Sequence, residues 1–330
     1  YSISDVNGNV TTVKRYIQVT GEEPGEVEES VEKSGLTLKS GMASYSTVGS
    51  GDWNDPSIWN GGVVPSATDD VTITTGDVVS IDSTASCNDI TLNGTLNYGV
   101  DSTLFVNGSW INNGTYAAGI NGTVVFTGSG IASISGSQQT LFKNFILDKG
   151  SLSDVLQVTS SVILDGDLTF NSGILQINST GAVECTGNSG FTVEADAGLF
   201  INGGSFIGGV FSVTFKGLFQ IDSGTATFGS ISGNSILTQS SGTFEVNGGT
   251  VNVAGRLEVS GGTLEISGGT INLNTIGQNS SSIGTLDLSI TSNFNMTSGN
   301  INFLNPNGTG YFDVVIESGG SKTVSGGTFN

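Results

Sequence analysis

The stretch GTFEVNGGTVNVAGRLEVSGGTLEISGGTINL, residues 242–273, decides the fold of this chain. It contains five short segments in which apolar and polar residues alternate, and each begins with glycine, at positions 242, 249, 255, 262 and 269. Three consecutive segments advance the chain by 20 residues, from Gly242 to Gly262 and from Gly249 to Gly269. Alternation is typical of β-strands with one buried face, and a constant period of this length is typical of solenoids.

Three strands in each 20-residue turn predict an all-β fold, a right-handed parallel β-helix of triangular cross-section. Successive turns pair about 4.8 Å apart along the axis, so residues 20 apart stack in columns inside the core. The predicted core columns pair Phe244 with Leu264, Val246 with Ile266, Val251 with Ile271, and Val253 with Leu273.

The same spacing places the β-helix over residues 71–330, roughly 13 turns at 20 residues each. The final glycine-led segment, Gly327-Thr328-Phe329, repeats the beginning of the segment at Gly242. We therefore expect the solenoid to continue beyond the chain, with neighbouring domains of the same protein as its first partners.

The composition limits the functions that the chain can have. Asp and Glu number 29 against 9 Lys and Arg, a net charge of −20, which excludes sequence-independent binding to nucleic acid. No apolar run approaches the ~20 residues of a membrane-spanning helix, so we expect no direct membrane insertion. The chain has no His, the commonest general base and neutral metal ligand. We expect no cofactor and no metal.

Residues 1–21, YSISDVNGNVTTVKRYIQVTG, alternate around Asn7-Gly8 and predict a β-hairpin. They resemble the last two strands of immunoglobulin-like modules in bacterial surface proteins. Residues 22–45 follow with six glutamates interrupted by Pro24-Gly25, a pattern typical of an extended linker. Calcium-dependent docking is the alternative interpretation of this acidic segment.

Residues 46–70 place Trp53 and Trp59 immediately before the first predicted strand of the solenoid. We expect the two rings to cap the first turn, because an uncovered end would expose apolar side chains and unpaired strand edges. A pair of sugar-binding aromatic side chains is the alternative.

Three longer stretches resemble the right-handed β-helices of large exported proteins of Bacteroidota. GSGDWNDPSIWNGGVVPSATDDVTIT (49–74) resembles the segment that opens them, and GTVVFTGSGIASISGSQQTLFKNFIL (122–147) and LTFNSGILQI (168–177) resemble their repeats. The resemblance implies an adhesin-like protein exported by type 9 secretion, and hence an extracellular location at the cell surface or in secreted form. Asp82-Ser83-Thr84 and Asp101-Ser102-Thr103 resemble an O-glycosylation motif of the same bacteria, which implies glycans on Ser83 and Ser102.

Residues that could support catalysis are few. Cys87 and Cys185 are about five turns apart, too far for a disulfide, so we expect both to be reduced and buried. Glu245 and Glu265 on successive turns have the spacing of a glycosidase pair, but we interpret them as solvated strand carboxylates. We expect no enzyme.

The sequence thus predicts a rigid, non-catalytic extracellular spacer or display segment of a large adhesin-like surface protein. One alternative is a carbohydrate-active or carbohydrate-binding β-helix module. Another is a secreted cargo or partner of the export and gliding machinery. The partners that these hypotheses imply are surface glycans and the export machinery itself.

Overall fold

A computed structural model describes residues 2–4, 10–12, 42–99, 101–119, 121–187, 190–209, 212–229, 235–277, 284–305 and 312–330. The chain divides into two compact units, Tyr1–Lys39 and Ser40–Asn330. In the first unit two strands pair antiparallel, with Ser2 opposite Thr12. This is the pairing of the predicted hairpin, whereas its Asn-Gly turn and the acidic segment up to residue 41 lie outside the described residues.

The described strands, in chain order, are β1 Ser2–Ser4, β2 Val10–Thr12, β3 Ser44–Ser46, β4 Gly51–Asp52, β5 Asp70–Ile73, β6 Val78–Ile81, β7 Thr84–Cys87, β8 Ile90–Leu92, β9 Thr95–Tyr98, β10 Thr103–Val106, β11 Trp110–Asn112, β12 Thr115–Ala117, β13 Thr123–Phe126, β14 Ile131–Ser135, β15 Thr140–Phe142, β16 Asn144–Asp148, β17 Val155–Val158, β18 Ser161–Leu164, β19 Leu168–Asn178, β20 Ala182–Cys185, β21 Phe191–Ile207, β22 Val213–Phe215, β23 Leu218–Phe228, β24 Ile236–Gln239, β25 Thr243–Val246, β26 Thr250–Val253, β27 Arg256–Val259, β28 Thr263–Ile266, β29 Thr270–Leu273, β30 Leu286–Leu288, β31 Asn293–Met296, β32 Asn300–Phe303, β33 Val314–Ile316, β34 Lys322–Val324 and β35 Thr328–Phe329. A single 3₁₀ turn, Pro56–Ile58, is the one helical element among them. No described helix is long and apolar enough to cross a bilayer.

In the second unit, parallel pairing stacks the strands on three faces of a β-solenoid. Face 1 consists of β3, β5, β8, β11, β14, β17, β25, β28, β31, β34 and parts of β19, β21 and β23. Face 2 consists of two successive sheets that do not pair with each other: β4, β6, β9 and β12, and then β15, β18, β20, β26, β29, β32, β35 and parts of β21 and β23. Face 3 consists of β7, β10, β13, β16, β22, β24, β27, β30, β33 and parts of β19 and β21. The prediction of an all-β parallel solenoid is therefore confirmed, whereas its right hand stays a prediction.

The turns are less uniform than the 20-residue block suggests. Thr243 pairs with Thr263 after 20 residues, but Val155 pairs with Ile174 after 19 and Thr263 with Asn293 after 30. In the described part of the chain, eleven turns contribute a strand to all three faces. This is fewer than uniform 20-residue turns predict, because the extra residues lie at corners between strands.

Glycines at the corners allow successive turns to approach closely. Gly262 has a φ of +68°, and a Cβ atom there would lie 2.4 Å from the carbonyl oxygen of Gly242. Gly269 has a φ of +65° and would place a Cβ atom 2.4 Å from the carbonyl oxygen of Gly248. Only glycine combines a positive φ with the absence of a side chain, which explains the glycine before four of the five strands of the block. Gly255, before the fifth, has no positive φ, but a Cβ atom there would lie 2.2 Å from the carbonyl oxygen of Ser235.

The core is one continuous hydrophobic cluster that extends from Trp53 to Ile301. The residues of the expected core columns face each other in register and are at most 1% exposed: Phe244 with Leu264, Val246 with Ile266, Val251 with Ile271, and Val253 with Leu273. Aromatic rings in contact follow the axis, and the closest pair, Phe219 and Phe244, stacks with centroids 4.2 Å apart.

Candidate functional site

Trp53 and Trp59 lie where the described core begins and are 0% and 2% exposed. Their ring centroids are 5.1 Å apart in an edge-to-face arrangement, and Trp59 Nε1 donates a hydrogen bond of 2.8 Å to the carbonyl oxygen of Trp53. Because neither ring has an open face, the pair offers no surface on which a sugar could stack. The burial argues against the sugar-binding alternative, whereas the role of the pair as a cap stays a prediction.

Ser83 and Ser102, the candidate glycosylation sites, differ sharply in exposure. Ser83 is exposed, and its hydroxyl accepts a hydrogen bond of 3.2 Å from Asn54 Nδ2. Ser102 is 0% exposed, and its hydroxyl donates a hydrogen bond of 3.0 Å to the carbonyl oxygen of Gly99. A buried hydroxyl has no room for a glycan, so the prediction is wrong for Ser102 in the folded chain; for Ser83 it stays a prediction.

Cys87 on β7 and Cys185 on β20 are both free and buried. Burial raises the pKa of the Cys87 thiol and raises the pKa of Cys185 to about 12. A nucleophilic cysteine requires the opposite shift, because the thiolate is the reactive form. Both thiols are therefore packing groups of the core.

Carboxylates lie in register on the outer side of two faces. Glu245 and Glu265 are neighbours on face 1, where burial and the charge of Glu265 raise the pKa of Glu245. Glu258 and Asp287 are neighbours on face 3, where burial and the charge of Glu258 raise the pKa of Asp287. No group of three or more His, Cys, Asp or Glu in the described part of the chain is arranged to hold a metal ion.

The basic side chains of the described solenoid are all engaged with other groups. Lys143 pairs with Asp165, Lys216 pairs with Glu194 at 3.0 Å, and Arg256 pairs with Glu258 at 3.4 Å.

Two further lysines bind backbone carbonyl groups. Lys149 is 4% exposed and donates a hydrogen bond of 3.1 Å to the carbonyl oxygen of Thr127, and burial lowers its pKa. Lys322 donates to the carbonyl oxygens of Ser289, Ser292 and Gly319. Such engaged amines are poorly placed to remove a proton beside a substrate carboxylate.

A polar strip on the outer side of face 2 is the most regular surface feature of the solenoid. We define the polar strip by two outward positions on each of five successive turns: Thr225, Thr227, Thr250, Asn252, Thr270, Asn272, Asn300, Asn302, Thr328 and Asn330.

Side-chain amides link the turns of the polar strip. The Nδ2 atom of Asn272 donates to Oδ1 of Asn252 at 2.8 Å, Asn302 donates to Asn272 at 2.8 Å, and Asn330 donates to Asn302 at 2.9 Å. Sequence reasoning missed this ladder. The signal was the repeated triplets TVN, TIN and TFN at 250, 270 and 328.

The chain matches no protein-family model, and neither the curated proteins nor the solved structures contain a significant match to it. The resemblance to exported Bacteroidota proteins therefore rests on the sequence stretches quoted above.

Proposed function

We propose that this chain is a rigid, non-catalytic spacer and display segment of a larger adhesin-like protein on the cell surface. One observation carries the proposal: parallel pairing on three faces encloses a single core that continues from Trp53 to Ile301. A bend at any turn would separate strands on one face and open the core beneath them. A structure of this kind holds its two ends at a fixed distance.

The location belongs to the same proposal. The opening stretch 49–74 and the repeats at 122–147 and 168–177 support export by type 9 secretion and an extracellular position, through their resemblance to Bacteroidota surface proteins. In this setting the neighbouring domains of the same protein are the first partners. The solenoid holds them away from the membrane, and its outer faces are available for weak multivalent contacts.

A spacer can be tested by removing one turn. Residues 243–262 form one complete turn, and Thr263 occupies the register position of Thr243, so deleting them joins Gly242 to an equivalent strand. Spin labels at Thr91 and Ser325, ten turns apart on face 1, measure the distance between these two positions along the solenoid axis. This distance is about 48 Å at the usual strand spacing.

We expect the deletion of 243–262 to fold and to shorten the distance between the labels by about 4.8 Å. Deletion of 243–252 is the matched control, because it removes half a turn and destroys the register of all three faces. A broad distance distribution in the intact protein, or an unchanged distance after the full-turn deletion, would contradict a rigid spacer.

The carbohydrate-active alternative makes a different prediction. Glu245 and Glu265 are its best placed carboxylates, since they lie on adjacent strands of face 1. Turnover of a glycan that disappears in the Glu245→Gln/Glu265→Gln variant would favour the enzyme over the spacer.

A further inference from the structure

The polar strip of face 2 carries no charge on a strongly acidic molecule. Its ten outward positions are all threonine or asparagine, although the chain has a net charge of −20. On two of its five turns carboxylates flank it on both sides: Glu245 and Glu265 on face 1, and Glu258, which pairs with Arg256, and Asp287 on face 3. An anionic polymer laid along the strip would be repelled from both edges, whereas a neutral polymer would not.

The strip also retains hydrogen-bonding capacity. A carboxamide has two N–H donors and two acceptor lone pairs on its oxygen. In the ladder, the carboxamides of Asn272 and Asn302 each use one N–H donor and one acceptor lone pair. A second donor and a second acceptor therefore remain on each of these side chains. The hydroxyls of Thr250 and Thr270 have no hydrogen-bond partner among the described residues. Donors and acceptors therefore repeat along the axis at about 4.8 Å.

We infer that the polar strip binds a neutral, extended polysaccharide whose hydroxyl groups lie parallel to the solenoid axis. An extended β-1,4-linked chain of pyranose rings presents hydroxyl groups on every ring. The length that each ring adds to the polymer is close to the axial rise of one solenoid turn. The outward positions of the strip include no aromatic side chain on which a single sugar could stack. Affinity thus comes from many weak contacts with an ordered polymer surface. This inference rests on the proposed display function and names its ligand class.

Co-sedimentation with insoluble polymers tests the inference. The probes are microcrystalline cellulose and chitin, both neutral, with insoluble cross-linked polygalacturonate as the anionic comparison. The strip variant is Thr250→Val/Thr270→Val, which removes two hydroxyls while keeping side-chain shape and strand preference. The matched control is Thr243→Val/Thr263→Val, the same change on face 1 of the same two turns.

We expect the full chain to sediment with at least one neutral polymer, and the strip variant to be retained at least threefold less than the control variant. Asn252→Val/Asn272→Val, which interrupts the amide ladder, provides a second strip variant, and circular dichroism establishes that each variant is folded. No retention by either neutral polymer, equal retention of strip and control variants, or preference for polygalacturonate would each overturn the inference. None of these results bears on the axial distance that tests the spacer.

Discussion

Phe219 and Phe105 lie in comparable strands and differ in the side of the strand that they occupy. Phe219 is 0% exposed and stacks on Phe244, whereas Phe105 is 37% exposed on the outer side of face 3. Ser102 and Ser83 differ for another reason, since they precede the paired residues Thr103 and Thr84. The strand β10 after Ser102 pairs with a strand on each side, whereas β7 after Ser83 is the first described strand of face 3 and pairs on one side only. At the scale of a residue, position in the stack therefore determines exposure to solvent more than residue type does.

Alanine substitution should reveal this difference directly. We expect Phe219→Ala to lower the free energy of unfolding by about 3–5 kcal/mol, because it leaves a cavity in a packed core. Phe105→Ala is the matched control and should change the free energy by less than about 0.5 kcal/mol. Urea denaturation followed by circular dichroism measures both, and similar losses in the two variants would show that the core assignment is wrong.

The buried thiols should make the protein sensitive to alkali. The native pKa of Cys185 is about 12, above the ordinary value of about 8.5 that applies to the unfolded chain. Between these values the unfolded state releases a proton that the folded state retains, so stability is full below about pH 8.5 and falls as the pH rises, by up to about 1.4 kcal/mol per pH unit.

Urea midpoints measured from pH 7 to pH 11 test this expectation. The wild-type midpoint should fall more steeply above pH 9 than that of Cys185→Ala, which lacks the titrating group. Cys87 and the tyrosines titrate in both proteins and cancel in the comparison. Parallel curves for the two proteins would count against a buried, protonated thiol at position 185.

At the scale of the element, the corners determine how far the sequence predicts the structure. The block 242–273 has short corners that contain glycine, so its 20-residue period can be read directly from the amino-acid sequence. Thr243 and Thr263 pair as expected. Other corners accept extra residues, because a longer loop hardly changes the free energy of closing the turn. Hydrophobic alternation therefore predicts the strands, whereas the spacing between Thr263 and Asn293, and the 17-residue strand Phe191–Ile207, do not follow from it.

The candidate site was predictable only in part for the same reason. Alternation places Asn252 and Asn272 on the outer side of a strand, but the ladder also requires the register of face 2 across a 30-residue turn, from Asn272 to Asn302. A short motif contains no such information. The Asp-Ser-Thr motif likewise does not reveal that Ser102 is covered by the turns on either side of it.

Alanine substitution at two corner glycines should lower stability by different amounts. Gly262→Ala should lower the free energy of unfolding by more than about 1–3 kcal/mol. A positive φ alone costs that much in a residue with a side chain, and the new Cβ atom would also clash with a carbonyl oxygen. Gly76 has a φ of +93°, but a Cβ atom there would meet no other atom within 4 Å, so Gly76→Ala should show the smaller cost of the conformation alone. Thermal unfolding ranks the two variants, and a reversed order would contradict the close approach of turns at Gly262.

At the scale of the whole molecule, each turn contacts its neighbours and the properties of single turns accumulate along the axis. Packing accumulates favourably, as the continuous core from Trp53 to Ile301 shows. Charge accumulates unfavourably, because 29 acidic residues face 9 basic ones and like charges repeat on consecutive turns. The raised pKa values of Glu245 and Asp287 have neighbouring carboxylates among their causes.

Screening by salt should therefore stabilise the solenoid. The Debye length is about 30 Å at 0.01 M ionic strength and about 8 Å at 0.15 M, so added salt removes repulsion between carboxylates several turns apart. It also weakens the three described ion pairs, but surface pairs contribute only about 0–1 kcal/mol each. We expect the unfolding temperature to rise between 0.01 and 0.15 M NaCl at pH 7, and to rise less in the variant Glu245→Gln/Glu265→Gln/Asp287→Asn. An unfolding temperature that stays constant or falls with salt would mean that ion pairs, rather than repulsion, dominate the electrostatics of this molecule.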